Sequence, residues 1–309
     1  MNSQELSNFL ERVRRGRKIT QEDFVDGICS LRQYQRYRRG ESEIPYERLD
    51  KFADRLGIPY KKLLNLFEDA KNKQSKLVAD YYNAVVTNRK SEKKKMKALI
   101  DIDIIIDEEN VLFYKHASLV DKYYDNKITE EEVIHLNSEL INYPDILKHE
   151  YITDVEILIL SFMLTFITLE LRNQLLRRLS ELFNNESSII TDGISSSDRI
   201  NALIIMRLAQ AYGLDHDFDN VIKFSDIGIE SGKVTKQYYL FEYFYYFKAL
   251  AHFRLEEYRE YEDALFRCYN VLHMEGTQEK IDHFTKLIEN DFKIDYHTFI
   301  MKYLKKEIM

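Results

Sequence analysis

The stretch SLRQYQRYRRGESEIP, Ser30–Pro45, decides how the chain is read. Arg32, Arg36, Arg38 and Arg39 share it with Tyr34 and Tyr37, and Gly40 follows the basic run. Ser30 and Gln33 have the spacing of a capping box, so a helix is expected to start at Ser30, with Gln33 reaching back and Gly40 as its stop. Leu31, Tyr34 and Tyr37 recur every three residues and are expected to anchor that helix in a core. Arg32, Gln33, Gln35, Arg36 and Arg39 then point elsewhere. This basic face is either merely solvated or built to meet something negatively charged.

The flanking residues choose between the two. Leu6, Phe9, Leu10 and Val13 fall at the spacing of an amphipathic helix that Gly16 can end. Thr20 and Asp23 form a near capping box for a second helix, whose apolar side is Phe24, Val25 and Ile28. Pro45 opens a fourth helix with Leu49, Phe52, Ala53 and Leu56 on one face. Gly57 closes it, and LGIPYKKLLNLF begins a fifth. Five short helices, the second and third joined by a tight turn around Cys29, make a helix-turn-helix domain over residues 1–68. Arg32, Gln35 and Arg36 are then free to enter a DNA major groove, where Arg and Gln pair bidentately with guanine and adenine. Lys18, Arg38 and Arg39 suit phosphates, as does Gln21 at a helix N-terminus. Charge agrees. Residues 1–66 hold fourteen Lys/Arg against ten Asp/Glu, while the whole chain carries −7, so a basic head precedes an acidic body.

The rest reads as helix with short breaks, in a chain of 309 residues with three prolines and nine glycines. A helix bearing Leu77, Tyr81 and Val85 and the charge run KSEKKKMK, Lys90–Lys97, are expected to form a solvated connector over residues 69–98. Within 99–276, RLAQAYGLDHDF (Arg207–Phe218) aligns with KALAHFRLEEY (Lys248–Tyr258) at a period of 40. LAQAY has the small-xx-aromatic spacing of a tetratricopeptide repeat, and such helix pairs stack into a solenoid with a concave face. Further units are expected around Phe113–Leu140 and Val155–Phe183. VEILILSFMLTFITLEL, Val155–Leu171, reads as a buried helix. Eight of the ten residues from Tyr238 to Phe247 are aromatic. Phe241, Phe244 and Phe247, with Ala251, are expected in the core. Tyr239, Tyr243 and Tyr246 are expected either on the concave surface or in the core with satisfied hydroxyls. Asn201 and Gln210 are expected to face inward, where side-chain amides could pair with a peptide backbone. Residues 277–309, with Ile281, Phe284, Leu287 and Ile288 on one face, read as capping or dimerisation helices. The fold class expected is all-α: a five-helix head followed by a degenerate tetratricopeptide-like solenoid.

Thr20–Ile58 resembles the DNA-binding domain of the Cro/repressor-type (XRE) family. Thr20-Gln21, Phe24-Val25, Ile28, Ser30, Tyr34, Tyr37 and Arg39-Gly40 take the places of that pattern. The resemblance implies base reading at Leu31, Arg32, Gln35 and Arg36, and a phosphate contact at Gln21. The chain departs from the pattern in a turn one residue shorter, with Cys29 where a Gly-Val pair is common, and in Arg38 where Glu is frequent. Head and body together resemble the peptide-responsive regulators of Gram-positive bacteria, the Rgg/PlcR/PrgX-like (RRNPP) group. That implies a homodimer on a double-stranded DNA operator with two half-sites, and a short signalling peptide in the concave groove.

No enzyme is expected. The eight histidines are scattered without metal-ligand spacing, there is no Gly-rich phosphate loop or nucleophile elbow, and no cofactor or metal is implied. Asp215, His216, Asp217 and Asp219 are the nearest approach to an acidic cluster, at an expected turn. Cys29 and Cys268 lie far apart, and the N-terminus lacks the apolar core of a signal peptide, so a reducing cytoplasm without a membrane partner is expected. Two other readings stand beside the peptide sensor. One is a ligand-independent phage- or plasmid-type repressor whose body only dimerises or binds a partner. The other is a protein-interaction scaffold with a vestigial head.

Overall fold

The computed structural model describes residues 3–102, 105, 107–184, 189–190 and 198–308. They form an all-α fold in two compact units, Met1–Leu140 and Ile141–Met309. The first holds α1 (Ser3–Gly16), α2 (Gln21–Val25), α3 (Leu31–Arg38), α4 (Tyr46–Arg55), α5 (Tyr60–Val86), α6 (Lys90–Leu99), α7 (Glu108–Tyr124) and α8 (Glu130–Leu140). The second holds α9 (Asp154–Met163), α10 (Leu169–Asn184), α11 (Asp198–Leu214), α12 (Phe218–Thr235), α13 (Phe241–Arg254), α14 (Tyr258–Glu275), α15 (Gln278–Phe292) and α16 (Tyr296–Ile308). The only strand pairing among the described residues is a two-residue parallel bridge, Ile152 and Thr153 against Ile189 and Ile190.

In the first unit, α1 to α4 and the start of α5 close around Leu10, Phe24, Tyr34, Phe52, Leu63 and Phe67. Phe24 stacks on Phe52 at 4.8 Å and meets Tyr34 edge-on at 5.7 Å. Ser30 caps α3 by accepting from the Gln33 N–H at 3.2 Å. The Gln33 side chain, expected to reach back to Ser30, instead donates to Ser42 at 2.8 Å. Helix α3 ends as expected: Gly40 at φ +71° lets Glu41 N–H bond Arg36 C=O at 2.9 Å. Leu31 corrects the anchoring expectation, being 37% exposed while Tyr34 and Tyr37 are buried. Every third residue drifts by about 60° around a helix, so the core centred on Tyr34 and Tyr37 no longer reaches Leu31. Ile28 lies beyond the end of α2, in the turn, where Gly27 takes φ +67°.

The fifth helix and the linker helix are one 27-residue helix, α5, since no Gly or Pro interrupts residues 60–86. The lysine-rich run forms α6, which buries nothing, yet it is docked rather than merely solvated. Lys93 and Lys97 reach the buried Asp121 carboxylate of α7 at 2.7 and 2.9 Å, and Tyr81 of α5 donates to it at 2.6 Å.

The second unit begins with a capping box. Thr153 accepts from Glu156 N–H and Glu156 returns to Thr153 N–H, so the Glu that interrupted the apolar run starts its helix. Helix α9 stops at Met163, and Leu169 and Leu171 beyond it are exposed. The 40-residue period is legible in the backbone. His216 and Glu256, 40 apart, both adopt left-handed φ values, +59° and +62°. After each, one N–H bonds back five residues: Asp217 to Tyr212 C=O at 3.0 Å and Glu257 to His252 C=O at 2.9 Å. Phe218 and Tyr258 then open α12 and α14. Lys236 and Gly276, again 40 apart, end those helices in left-handed caps. The same turn closes the pairs of the first unit, at Asn88 and Asn126.

Helices α12 and α13 meet where α12 has no side chain. A Cβ on Gly228 would lie 2.3 Å from the buried Phe244 ring, and one on Gly232 2.3 Å from Phe241. Gly228→Ala therefore overpacks a buried contact. Alanine's better helix propensity offsets part of the cost, about 1 kcal/mol, against roughly 1–3 kcal/mol for the forced ring movement. Denaturant unfolding of the full chain should show a net loss of stability.

Candidate nucleic-acid interface and the aromatic face of the body

The candidate interface of the N-terminal domain is organised around Glu11, a residue that the sequence shows only as one more charge on α1. Its side chain is 5% exposed. Arg14 grips it with Nη2 at 2.6 Å and Nε at 2.9 Å, and Arg15 Nε donates at 3.0 Å. Tyr34 Oη of α3 donates at 3.1 Å, and Gln21 Nε2 at the start of α2 donates at 2.9 Å. Burial opposes ionisation of Glu11. Hydrogen bonds from Arg14, Gln21 and Arg15 overcome it and bring the carboxyl down to about 2. Burial and then the nearby Glu11 charge push the Tyr34 phenol well above its ordinary value. The missed signal is the polar stripe Ser7–Glu11–Arg14. It runs at helical spacing beside the apolar stripe, and all three residues are buried.

Above this hub lies the face of α3. Arg32 and Arg36 are exposed, Gln35 is half-buried, and Ser30 is exposed with its oxygen used as the helix cap. Gln35 Nε2 donates to Gln21 Oε1 at 2.9 Å, so these two expected DNA-contacting residues are in direct contact. Glu41 just past the helix pairs with Arg39 Nε at 2.9 Å and Arg36 Nε at 3.7 Å. Arg38 differs from its neighbours: it is half-buried and its enclosed Nε has no hydrogen-bond partner. Lys18 is exposed.

In the second unit the aromatic residues are divided otherwise than expected. Phe241, Phe244 and Ala251 are buried, Phe247 is only half-buried, and Tyr245 and Tyr246 complete the core. Tyr246 donates to Asp291 of α15, and burial followed by Asp291 pushes its phenol upward. Tyr243 sits edge-on against Phe284 of α15 at 4.8 Å. Lys280 of α15 reaches the buried Glu242 at 2.6 Å. Helix α15, whose Phe284 and Ile288 are buried, thus covers the side of α13 that carries Tyr243 and Tyr246. Tyr239 precedes α13, with the Arg199 guanidinium 5.7 Å from its ring. Asn201 and Gln210 are nine residues apart on one continuous helix, α11, which is two and a half turns. They therefore lie on opposite sides and cannot both face inward.

The acidic turn is explained locally: Asp215 pairs with Arg172 at 2.7 Å, and Asp217 caps α12 through Asn220 N–H at 3.2 Å. Among the described residues no group of three His, Cys, Asp or Glu could hold a metal ion, and no helix is long and apolar enough to cross a membrane.

No protein-family model matches the sequence, and no curated protein matches it. Solved structures do. ComR from S. thermophilus, in complex with DNA and its signalling peptide ComS, aligns over 93% of this chain and 99% of its own, at 13% identity and a TM-score of 0.55. Apo ComR, a competence regulator from Streptococcus vestibularis, aligns over 94% and 99%, at 12% identity and a TM-score of 0.51. PlcR from Bacillus thuringiensis, in complex with the peptide PapR7 and DNA, aligns over 92% and 99% with 19% identity and a TM-score of 0.42. The fold is therefore the one found in ComR, with a helix-turn-helix head and a helical-repeat body.

The depressed Glu11 pKa has a consequence for stability. A carboxylate lowered from 4.5 to about 2 on folding contributes stability that is fully present above pH 4.5 and lost as pH falls toward 2. Wild type should therefore lose stability relative to Glu11→Gln, by on the order of 3 kcal/mol, as pH falls from neutral through that window. Denaturant titrations of both proteins from pH 2 to 7 check it.

Proposed function

We propose that the protein is a cytoplasmic DNA-binding transcriptional regulator whose helical-repeat body binds a short signalling peptide. Peptide binding alters dimer geometry or DNA affinity, as in quorum sensing, and no catalysis is assigned to the chain. The observation that carries the DNA half is the face of α3, with Tyr34 and Tyr37 locked in the core and Arg32 and Arg36 left in solvent. A helix so anchored presents guanidinium groups at the reach and geometry that guanine edges require. Leu31 and Gln35 complete the reading face. Gln21, Ser30 and Arg39 serve the phosphates, with Arg38 held back by its partial burial. The peptide half is supported by the fold shared with ComR, which was solved with DNA and its signalling peptide. A homodimer would place two such helices on two half-sites. The peptide acts as an allosteric effector only if it binds the two states unequally. Tyr239 and one of Asn201 and Gln210 remain the candidates for peptide contact.

A second reading, a ligand-independent repressor, is favoured by one observation: α15 of the chain itself covers Tyr243 and Tyr246.

Binding to duplex DNA selected from a randomised library, at fixed salt because phosphate contacts make affinity strongly salt-dependent, tests both. Arg32→Ala and Arg36→Ala should each cost roughly 1–3 kcal/mol and relax preference at one base pair. Uniform weakening on all sequences would make them phosphate contacts instead. Glu41→Gln frees Arg36 and Arg39 from their ion pairs and should tighten binding severalfold at low salt. Short apolar peptides encoded near the gene should change affinity or stoichiometry; identical binding with and without them favours the ligand-independent repressor.

A further inference from the structure

Two glutamines and one carboxylate form a chain of hydrogen bonds with a fixed direction. An ionised carboxylate only accepts, so the Gln21 amide can present nothing to Glu11 but its NH2 group, at 2.9 Å. That turns Gln21 Oε1 away from Glu11. The oxygen then accepts from Gln35, which must offer its own NH2 group, again at 2.9 Å. Amide orientation is ordinarily a free choice of two, but here the charge on Glu11 removes the choice at both residues. Glu11 is held ionised by Arg14 and Arg15 and is buried beneath α2 and α3, so the anchor of the chain is rigid.

We propose that Glu11 sets the base preference of Gln35 through the amide of Gln21, acting as a positioning residue that never touches DNA. With one N–H engaged by Gln21, Gln35 keeps its carbonyl and its second N–H for the groove. That pair of groups matches the N6 donor and N7 acceptor of adenine. Gln21 likewise keeps one N–H, in a direction set by Glu11, for a phosphate oxygen. With the amides turned the other way, Gln35 would accept from Gln21 and lose part of its acceptor capacity toward the base.

This inference rests on the DNA-binding reading, and the test separates the two. Wild-type full-length protein is used to select binding sites from a random duplex library, and the profile is repeated for Gln35→Ala, Gln21→Met and Glu11→Gln. Gln35→Ala should relax preference for A·T at one base pair in each half-site. Gln21→Met, which keeps side-chain length but can neither pass nor receive the hydrogen bond, should relax the same base pair by roughly tenfold and leave the others unchanged. Glu11→Gln, whose new amide can donate as well as accept, should do the same in whatever fraction is folded by circular dichroism. Gln21→Met leaves the buried Arg14–Glu11 pair intact, so the test survives if Glu11→Gln does not fold. The proposal is overturned if the Gln21→Met profile is identical to wild type apart from a uniform loss of affinity, or if it changes a base pair other than the one Gln35→Ala relaxes. Failure of wild type to enrich any sequence would instead overturn the DNA-binding reading itself, and this inference with it.

Discussion

One buried negative charge holds the N-terminal domain in register. Glu11 comes from α1, but its partners come from α1, α2 and α3, and Arg14 also donates to the Ile19 carbonyl in the turn between the first two helices. Burying an unpaired carboxylate costs several kcal/mol, whereas one that accepts five hydrogen bonds is stabilised in place. Each helix is too short to be stable alone; α2 has five residues and α3 eight. Their mutual orientation therefore depends on the shared aromatic core of Phe24, Tyr34 and Phe52 and on the carboxylate at its edge. The basic face of α3 is a by-product of that anchoring: once Tyr34 and Tyr37 turn inward, Arg32 and Arg36 have nowhere to go but solvent.

The helix pairs follow a different constraint. The turns at Asn88, Asn126, His216, Lys236 and Glu256 each pass through one residue in the left-handed region, and the next N–H returns to a carbonyl five residues earlier. Asn88, Asn126 and His216 suit that conformation, while Glu256 takes it without glycine's freedom. At Glu256, packing therefore imposes the turn on a residue that does not prefer it. In the second unit the helix–helix contacts then differ by what each surface offers: glycines meet phenylalanine rings between α12 and α13, and the Tyr246 hydroxyl meets the Asp291 carboxylate between α13 and α15.

Legibility tracked locality. The helices of the head, their stops at Gly40 and Gly57 and the apolar faces of α1 and α4 rest on spacings of three and four residues, which a sequence displays directly. The 40-residue repeat was equally plain, because Phe218 and Tyr258 occupy the same place in successive units. What failed to show were partners distant along the chain. The Gln33 side chain meets Ser42 rather than Ser30, Gln35 meets Gln21, and Asp121 gathers two lysines from a run that looked merely solvated. In the aromatic segment, periodicity could not separate a surface tyrosine from a buried one, since both have the same spacing and only the arrival of α15 distinguishes them.

The sequence by itself determined the all-α class, the helix-turn-helix order with its basic third helix, and the period of the body. Each of these follows from local propensity, capping and the turn of an α-helix. Tertiary structure alone decided that Leu31 leaves the core, that Tyr246 enters it, that Asn201 and Gln210 face apart, and that Glu11 governs the amides above it. The physical reason is the same in every case. A side chain's burial and the sense of its hydrogen bonds are set by whichever group packs against it, and that group lies on another helix.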